Sequence, residues 1–87
     1  KTYDVTISND TLDEVTIYFD GEKPKVLHKA TYLKVLPLLG RCYFSDIEEG
    51  DHVVKVECGS HVYKQTLSVN RDLWLKVSEL SDIPSAL

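Results

Sequence analysis

The sequence predicts an all-β fold, a small antiparallel two-sheet β-sandwich of six or seven strands. Three observations predict it. Apolar residues alternate with polar ones in one segment after another, the period of a half-buried strand. Turn signals separate these segments, roughly every 8–12 residues. No stretch of about ten or more residues carries the three-and-four apolar spacing of an amphipathic helix. A chain of 87 residues is one domain and cannot cover both faces of a single sheet. Two sheets packed face to face solve that, each showing water one polar face.

The centre of this pattern is Tyr43 to Cys58, which reads as a β-hairpin. Val54, Val56 and Cys58 alternate with Lys55 and Glu57. Glu48-Glu49-Gly50-Asp51 supplies a charged turn, with a glycine free to take positive φ. Around it the other strands follow in order. Lys1 to Ser8 places Tyr3, Val5 and Ile7 on one side, and Asn9-Asp10 breaks it. Glu14 to Asp20 turns Val15, Ile17 and Phe19 inward and Thr16 and Tyr18 outward, and ends in an Asp20-Gly21 turn. Glu22 to Lys25 is a charged loop or edge around Pro24, and Val26 to Lys29 is a short strand. Tyr32 to Leu36 is another, stopped by Pro37, which has no N–H to donate. Leu38 and Leu39 are expected to be buried. After Gly59-Ser60, Val62 to Val69 points Tyr63, Leu67 and Val69 inward, with Gln65 interrupting the pattern. Leu73, Leu75 and Val77 then alternate with Trp74, Lys76 and Ser78. Residues 1–80 form the domain; 81–87, with Pro84 and small residues, read as a frayed tail or linker.

Composition excludes some functions. The net charge of −4 argues against nucleic acid, which wants a basic face. The longest apolar runs are far too short to span a bilayer, so no direct membrane insertion is expected. A chain that starts at Lys1 and contains no methionine reads as processed or trimmed, with room for a removed targeting segment. Two cysteines are too few for a disulfide scaffold or, alone, for a structural zinc site.

The candidate chemistry is thin. Cys42, Cys58, His52 and His61 are zinc-type residues, but Cys42 reads as core and His61 as an outward turn residue. A Cys58–His61 nucleophile would need a thiol whose pKa is lowered by a base or a dipole, and strands offer no helix dipole. Asp46, Glu48, Glu49 and Asp51 are calcium-type carboxylates without an EF-hand spacing, so a solvated hairpin tip is preferred. Asn9-Asp10-Thr11 is a glycosylation triplet. No cofactor is expected. Cys42 and Cys58 flank the ribbon: a loop at Glu49-Gly50-Asp51 sets them opposite each other, and one at Glu48-Glu49-Gly50 sets them diagonally. The second gives glycine the left-handed position that three-residue hairpins prefer, so two buried, unbonded thiols are expected. The binding candidates are Trp74 and Tyr18, each on the polar phase of its strand. An outward aromatic on a sheet stacks on a sugar or anchors a protein.

Three stretches resemble modules of the PEGA family. Val15-Thr16-Ile17-Tyr18-Phe19-Asp20-Gly21 looks like their opening strand and Asp-Gly turn. Ile47 to Val56, with Gly50 and His52 ahead of alternating valines, is similar to their central turn. Val62 to Val69 and Leu73 to Leu80 resemble the closing strands. The Pro and Ala of the family's name are replaced by Glu48 and Asp51, the usual Thr-Pro step after the first turn is missing, and Val26 to Gly40 is longer than usual. The resemblance implies a prealbumin-like or Ig-like sandwich outside the cytoplasm: periplasmic, on the cell surface or secreted. It implies no catalytic residues. The expected function is therefore a non-catalytic binding or spacer module of a larger extracytoplasmic protein, engaging protein or carbohydrate. The alternatives are an accessory β-domain of a polysaccharide-active enzyme, and a self-assembling envelope subunit that pairs through strand edges.

Overall fold

A computed structural model describes residues 1–30 and 37–87, the side chains of Pro37 and Leu38 excepted. Seven strands are formed among these residues: β1 (Thr2–Ser8), β2 (Val15–Phe19), β3 (Lys25–Leu27), β4 (Arg41–Glu48), β5 (Gly50–Cys58), β6 (His61–Val69) and β7 (Leu73–Lys76). They make two sheets. One has the order β4-β1-β7, the other β3-β2-β5-β6. Neighbours are antiparallel except β1 and β7, which run parallel. Helical structure among the described residues is confined to short 3-10 turns such as Pro37–Gly40 and Val77–Glu79. The strand expected at Tyr32 to Leu36 lies outside the described residues.

Alternation places the core where the period-two pattern puts it. Val5 and Ile7 of β1 and Cys42 and Phe44 of β4 face Val15, Ile17 and Phe19 of β2 and Val54 and Val56 of β5, all buried. Phe19 and Phe44 stack across the two sheets with ring centroids 4.8 Å apart, near the closest offset stacking geometry. Leu39, expected to be buried, is exposed.

The central ribbon is not a hairpin. β4 pairs with β1, and β5 pairs with β2 and β6. Glu49 and Gly50 carry the chain from one sheet to the other, with Gly50 at φ 134°, a value L side chains avoid. Alternation tells which face a residue takes, not which strand lies beside it. Phe44 and Val54 share the inside, as expected, but meet it from opposite sheets. Both proposed Cys42–Cys58 registers fall with the hairpin. Cys42 sits opposite Ile7 in one sheet and Cys58 opposite His61 in the other. Both thiols are free, Cys42 buried and Cys58 half-buried.

Two turns follow their sequence signals. Asp20 and Gly21 both take positive φ, 53° and 71°, and Glu22 N donates to Phe19 O at 3.0 Å, as a type I′ turn requires. Gly59-Ser60 closes a two-residue hairpin between Cys58 and His61, with Gly59 at φ 59°.

The Asn9-Asp10-Thr11 turn is buried, which its polarity hid. Asn9 and Thr11 are 0% exposed. The Asn9 amide donates to the carbonyls of Asp13, Leu27 and His28, and its Oδ1 accepts from Thr11 N and Thr11 Oγ1. The triplet is therefore a structural knot, closed to a glycosylating enzyme in the folded state. Asp10 receives Ser78 N at 3.0 Å and Ser78 Oγ at 2.5 Å. Burial alone would raise its carboxyl; these donations outweigh it and hold the pKa below the ordinary value. The segment expected to fray is docked on the same knot: Ala86 N donates to Asp10 O at 2.6 Å, and Ile83 packs against the core.

Candidate functional site

The residues that sequence reasoning singled out are distributed by this topology. His52 lies at the sheet crossing. Its Nδ1 is 2.5 Å from Asp20 Oδ2 and its Nε2 is 2.6 Å from Glu48 O. A carboxylate and a carbonyl both accept, so the two contacts are satisfied together only when both ring nitrogens donate, as they do in the protonated ring. The Asp20 hydrogen bond is the main cause that raises its pKa. His52 is thus a clamp that ties the Asp20-Gly21 turn to the end of β4, with its ring tilted on Phe19 at 5.5 Å. A raised histidine pKa contributes fully below the unfolded value of 6.5 and is lost as pH rises through the folded value. Replacing His52→Gln is expected to cost roughly 1 kcal/mol below that pH, as for a partly exposed ion pair. The difference from the natural chain then shrinks on the alkaline side, which urea melts at stepped pH will read.

Cys42, Cys58 and His61 do not join His52. Among the described residues no three His, Cys, Asp or Glu side chains come together to hold a metal ion. Burial pushes the Cys42 thiol up to about 11 and raises that of Cys58 as well, with Asp13 adding to the latter. Neither is an activated thiolate.

Tyr18 and Trp74, paired as candidates, lie on opposite outer faces of the sandwich. Tyr18 sits on the four-stranded sheet, half-buried, with Lys55 Nζ 4.1 Å above its ring. Trp74 stands on the outer face of the three-stranded sheet and is 63% exposed. They cannot form one site.

The face around Trp74 is the more developed. The registers Thr6↔Tyr43 and Thr6↔Trp74 place these three side by side on one outward row, and Ser8↔Arg41 and Ser8↔Lys76 make the next row. Tyr43 and Trp74 therefore flank one small threonine at two strand spacings, roughly 9–10 Å. Tyr43 is 46% exposed. Thr6 and Ser8 point outward yet are only 7% exposed each, because the larger side chains of β4 and β7 lean over the central strand. Arg41 reaches across: its Cζ lies 5.5 Å from the Trp74 ring centroid, a cation–π contact. Among the described residues no acceptor engages Arg41, its buried Nε included, and neither the Tyr43 hydroxyl nor the Trp74 indole N–H has a partner.

No protein-family model matches the chain, and comparison with curated proteins and with solved structures finds no significant match. The reading of this face therefore rests on its own geometry.

Beyond the aromatic row the face turns acidic. A β-bulge between Tyr3 and Val5 sets two β4 residues against one of β1, with Asp46 at φ 57°. Asp4 accepts from Asp46 N at 3.4 Å, and Asp72 accepts from Asp4 N at 2.9 Å. The outer face so runs from Arg41 and Lys76, through Tyr43, Thr6 and Trp74, to Asp4, Asp46 and Asp72. Around the β4 edge Lys25, Val26 and Leu27 face Arg41, Cys42 and Tyr43 across a shallow cleft. Sequence reasoning missed Arg41 and Tyr43. Their signal was present: both share the phase opposite to Cys42 and Phe44, but the hairpin reading drew attention to the core side of the strand.

Proposed function

We propose that this domain is a non-catalytic binding module and that its ligand lies across the outer face of the three-stranded sheet. The observation that carries the reading is the row Tyr43–Thr6–Trp74: two exposed rings bracket a small residue, with donors beside them that no described residue engages. Rings stack on the apolar faces of sugars. Arg41 and Lys76 add cations for an acidic substituent, and among the described residues no acceptor engages Arg41. A saccharide chain with carboxylate groups is the ligand this chemistry favours. The resemblance to PEGA-type modules supports the placement of the parent protein outside the cytoplasm, where such chains are met, and the module then orients or tethers a larger protein.

The test is retardation of the domain in native gels containing polygalacturonate, with uncharged dextran as the comparison. The natural chain is expected to be slowed by polygalacturonate. Trp74→Ala and Tyr43→Ala are each expected to weaken this about tenfold or more, since each removes one of the two anchoring rings. Tyr18→Ala, on the opposite face, should leave it unchanged. Equal mobility of all variants on both gels contradicts a saccharide ligand.

A further inference from the structure

Among the described residues, three of the four sheet edges are blunted. β3 is three residues long, and Lys25 on it, though exposed, reaches over to β4, with its Nζ donating to Tyr43 O at 3.0 Å and lying 4.8 Å from the Phe44 ring. β4 is interrupted by the bulge at Asp46 and has its Tyr43 carbonyl occupied by Lys25. β7 has four residues. Short strands, bulges and edge lysines are among the devices that keep sheet edges from pairing with other chains.

β6 is neither short nor bulged, and Lys64 is its single lysine. It runs nine residues, His61–Val69, in unbroken register with β5, and contains neither proline nor bulge. The hairpin closes on Cys58↔His61, so the odd-numbered residues 61–69 bond to β5, and the even-numbered ones present N–H and C=O to the open side. Among the described residues no backbone hydrogen bond reaches that side. Residues 79–82 approach the first half of the strand but leave an open cleft beside it. Tyr63 and Leu67, half-buried, are the core's uncovered margin here, and Val62 is 54% exposed.

We propose that this edge pairs with β6 of a second copy, antiparallel about a two-fold axis at Gln65, to make one continuous eight-stranded sheet. The register supplies the argument for that occupant. Centring on Gln65 is the one arrangement that pairs all nine residues. Lys64 then meets Thr66 of the second copy and Val62 meets Ser68, all edge-facing, so their backbone groups bond in pairs. Tyr63 meets Leu67 of the second copy, an aromatic–aliphatic cross-strand pair that extends the core. No like charges are set opposite; centring one residue earlier would oppose Lys64 to itself. A two-fold contact of this kind closes and does not grow into a fibre. The edge lies apart from the Tyr43–Trp74 face, so this inference stands independently of the proposed ligand.

Sedimentation equilibrium of the full 87-residue chain over a concentration series tests it. The natural chain is expected to approach twice its monomer mass. Thr66→Pro removes an N–H used only at the open side, and Gln65→Lys sets two like charges at the axis. Each is expected to weaken association about tenfold or more, with the far-UV circular dichroism of the monomer retained. Trp74→Ala should leave the mass unchanged. A natural chain that stays monomeric at high concentration overturns the proposal. So does a dimer that resists Gln65→Lys, which needs no new backbone geometry and so decides the matter if Thr66→Pro fails to fold.

Discussion

Replacing Asn9→Ala is expected to remove about 3–5 kcal/mol of folding stability. A typical buried hydrogen bond contributes about 1 kcal/mol net, and a buried group left without its partner costs about 1–3 kcal/mol. Asn9 is 0% exposed and makes five contacts, three from its amide and two to its Oδ1. Alanine strands Thr11 N in a site closed to water and takes a donor from the Leu27 and His28 carbonyls. Asn9→Asp keeps the shape but sets a carboxylate against three carbonyls, and should do no better. A domain of this size holds roughly 5–10 kcal/mol in all, so the urea midpoint should fall by about half. A loss under about 1 kcal/mol would mean that the turn is wet and the network incidental.

Phe19→Ala should be of similar size, about 3–5 kcal/mol. Phe19 is buried in the middle of a column, stacked on Phe44 of the other sheet at 4.8 Å and touched by the His52 ring at 5.5 Å. Its removal opens a cavity between the sheets and takes the ring contact from both neighbours. Phe19→Leu keeps most of the volume and should cost only about 1–2 kcal/mol. Equal losses for the two variants would show that the column can collapse and that packing across the sheets is loose at this point.

Much of this architecture is legible in the residues, and the parts that are not share a physical cause. Period-two alternation reports which side of a sheet a residue takes. It therefore placed Val5, Ile7, Ile17, Phe19, Val54 and Val56 inside and Trp74 outside. Turn chemistry is local too: Asp20-Gly21 and Gly59-Ser60 needed positive φ, and glycine or aspartate supplied it. Strand partners are not local. The crossing at Glu49-Gly50 has the same charged, glycine-bearing look as a hairpin tip. The parallel pairing of β1 with β7 joins residues far apart in the chain, through contacts that no short window contains. Burial of Asn9, Asp10 and Thr11 was hidden for a related reason. A polar turn reads as surface until carbonyls from Leu27 and His28 arrive to satisfy it. The site was half legible. Trp74 was found by phase, but Tyr43 and Arg41 become its neighbours only because β1 lies between β4 and β7, while Tyr18, matched to it by phase, faces the other way.

The most direct test of the proposed binding face uses the chain's single tryptophan, Trp74, as its own reporter. Iodide quenching of its fluorescence is to be measured in the free domain and again with saturating polygalacturonate. Exposure of 63% predicts strong quenching in the free domain, and stacking on a sugar predicts marked protection when the polysaccharide is present, with no such change in dextran. Equal quenching with and without polygalacturonate, or a tryptophan that iodide cannot reach in the free domain, would contradict the account.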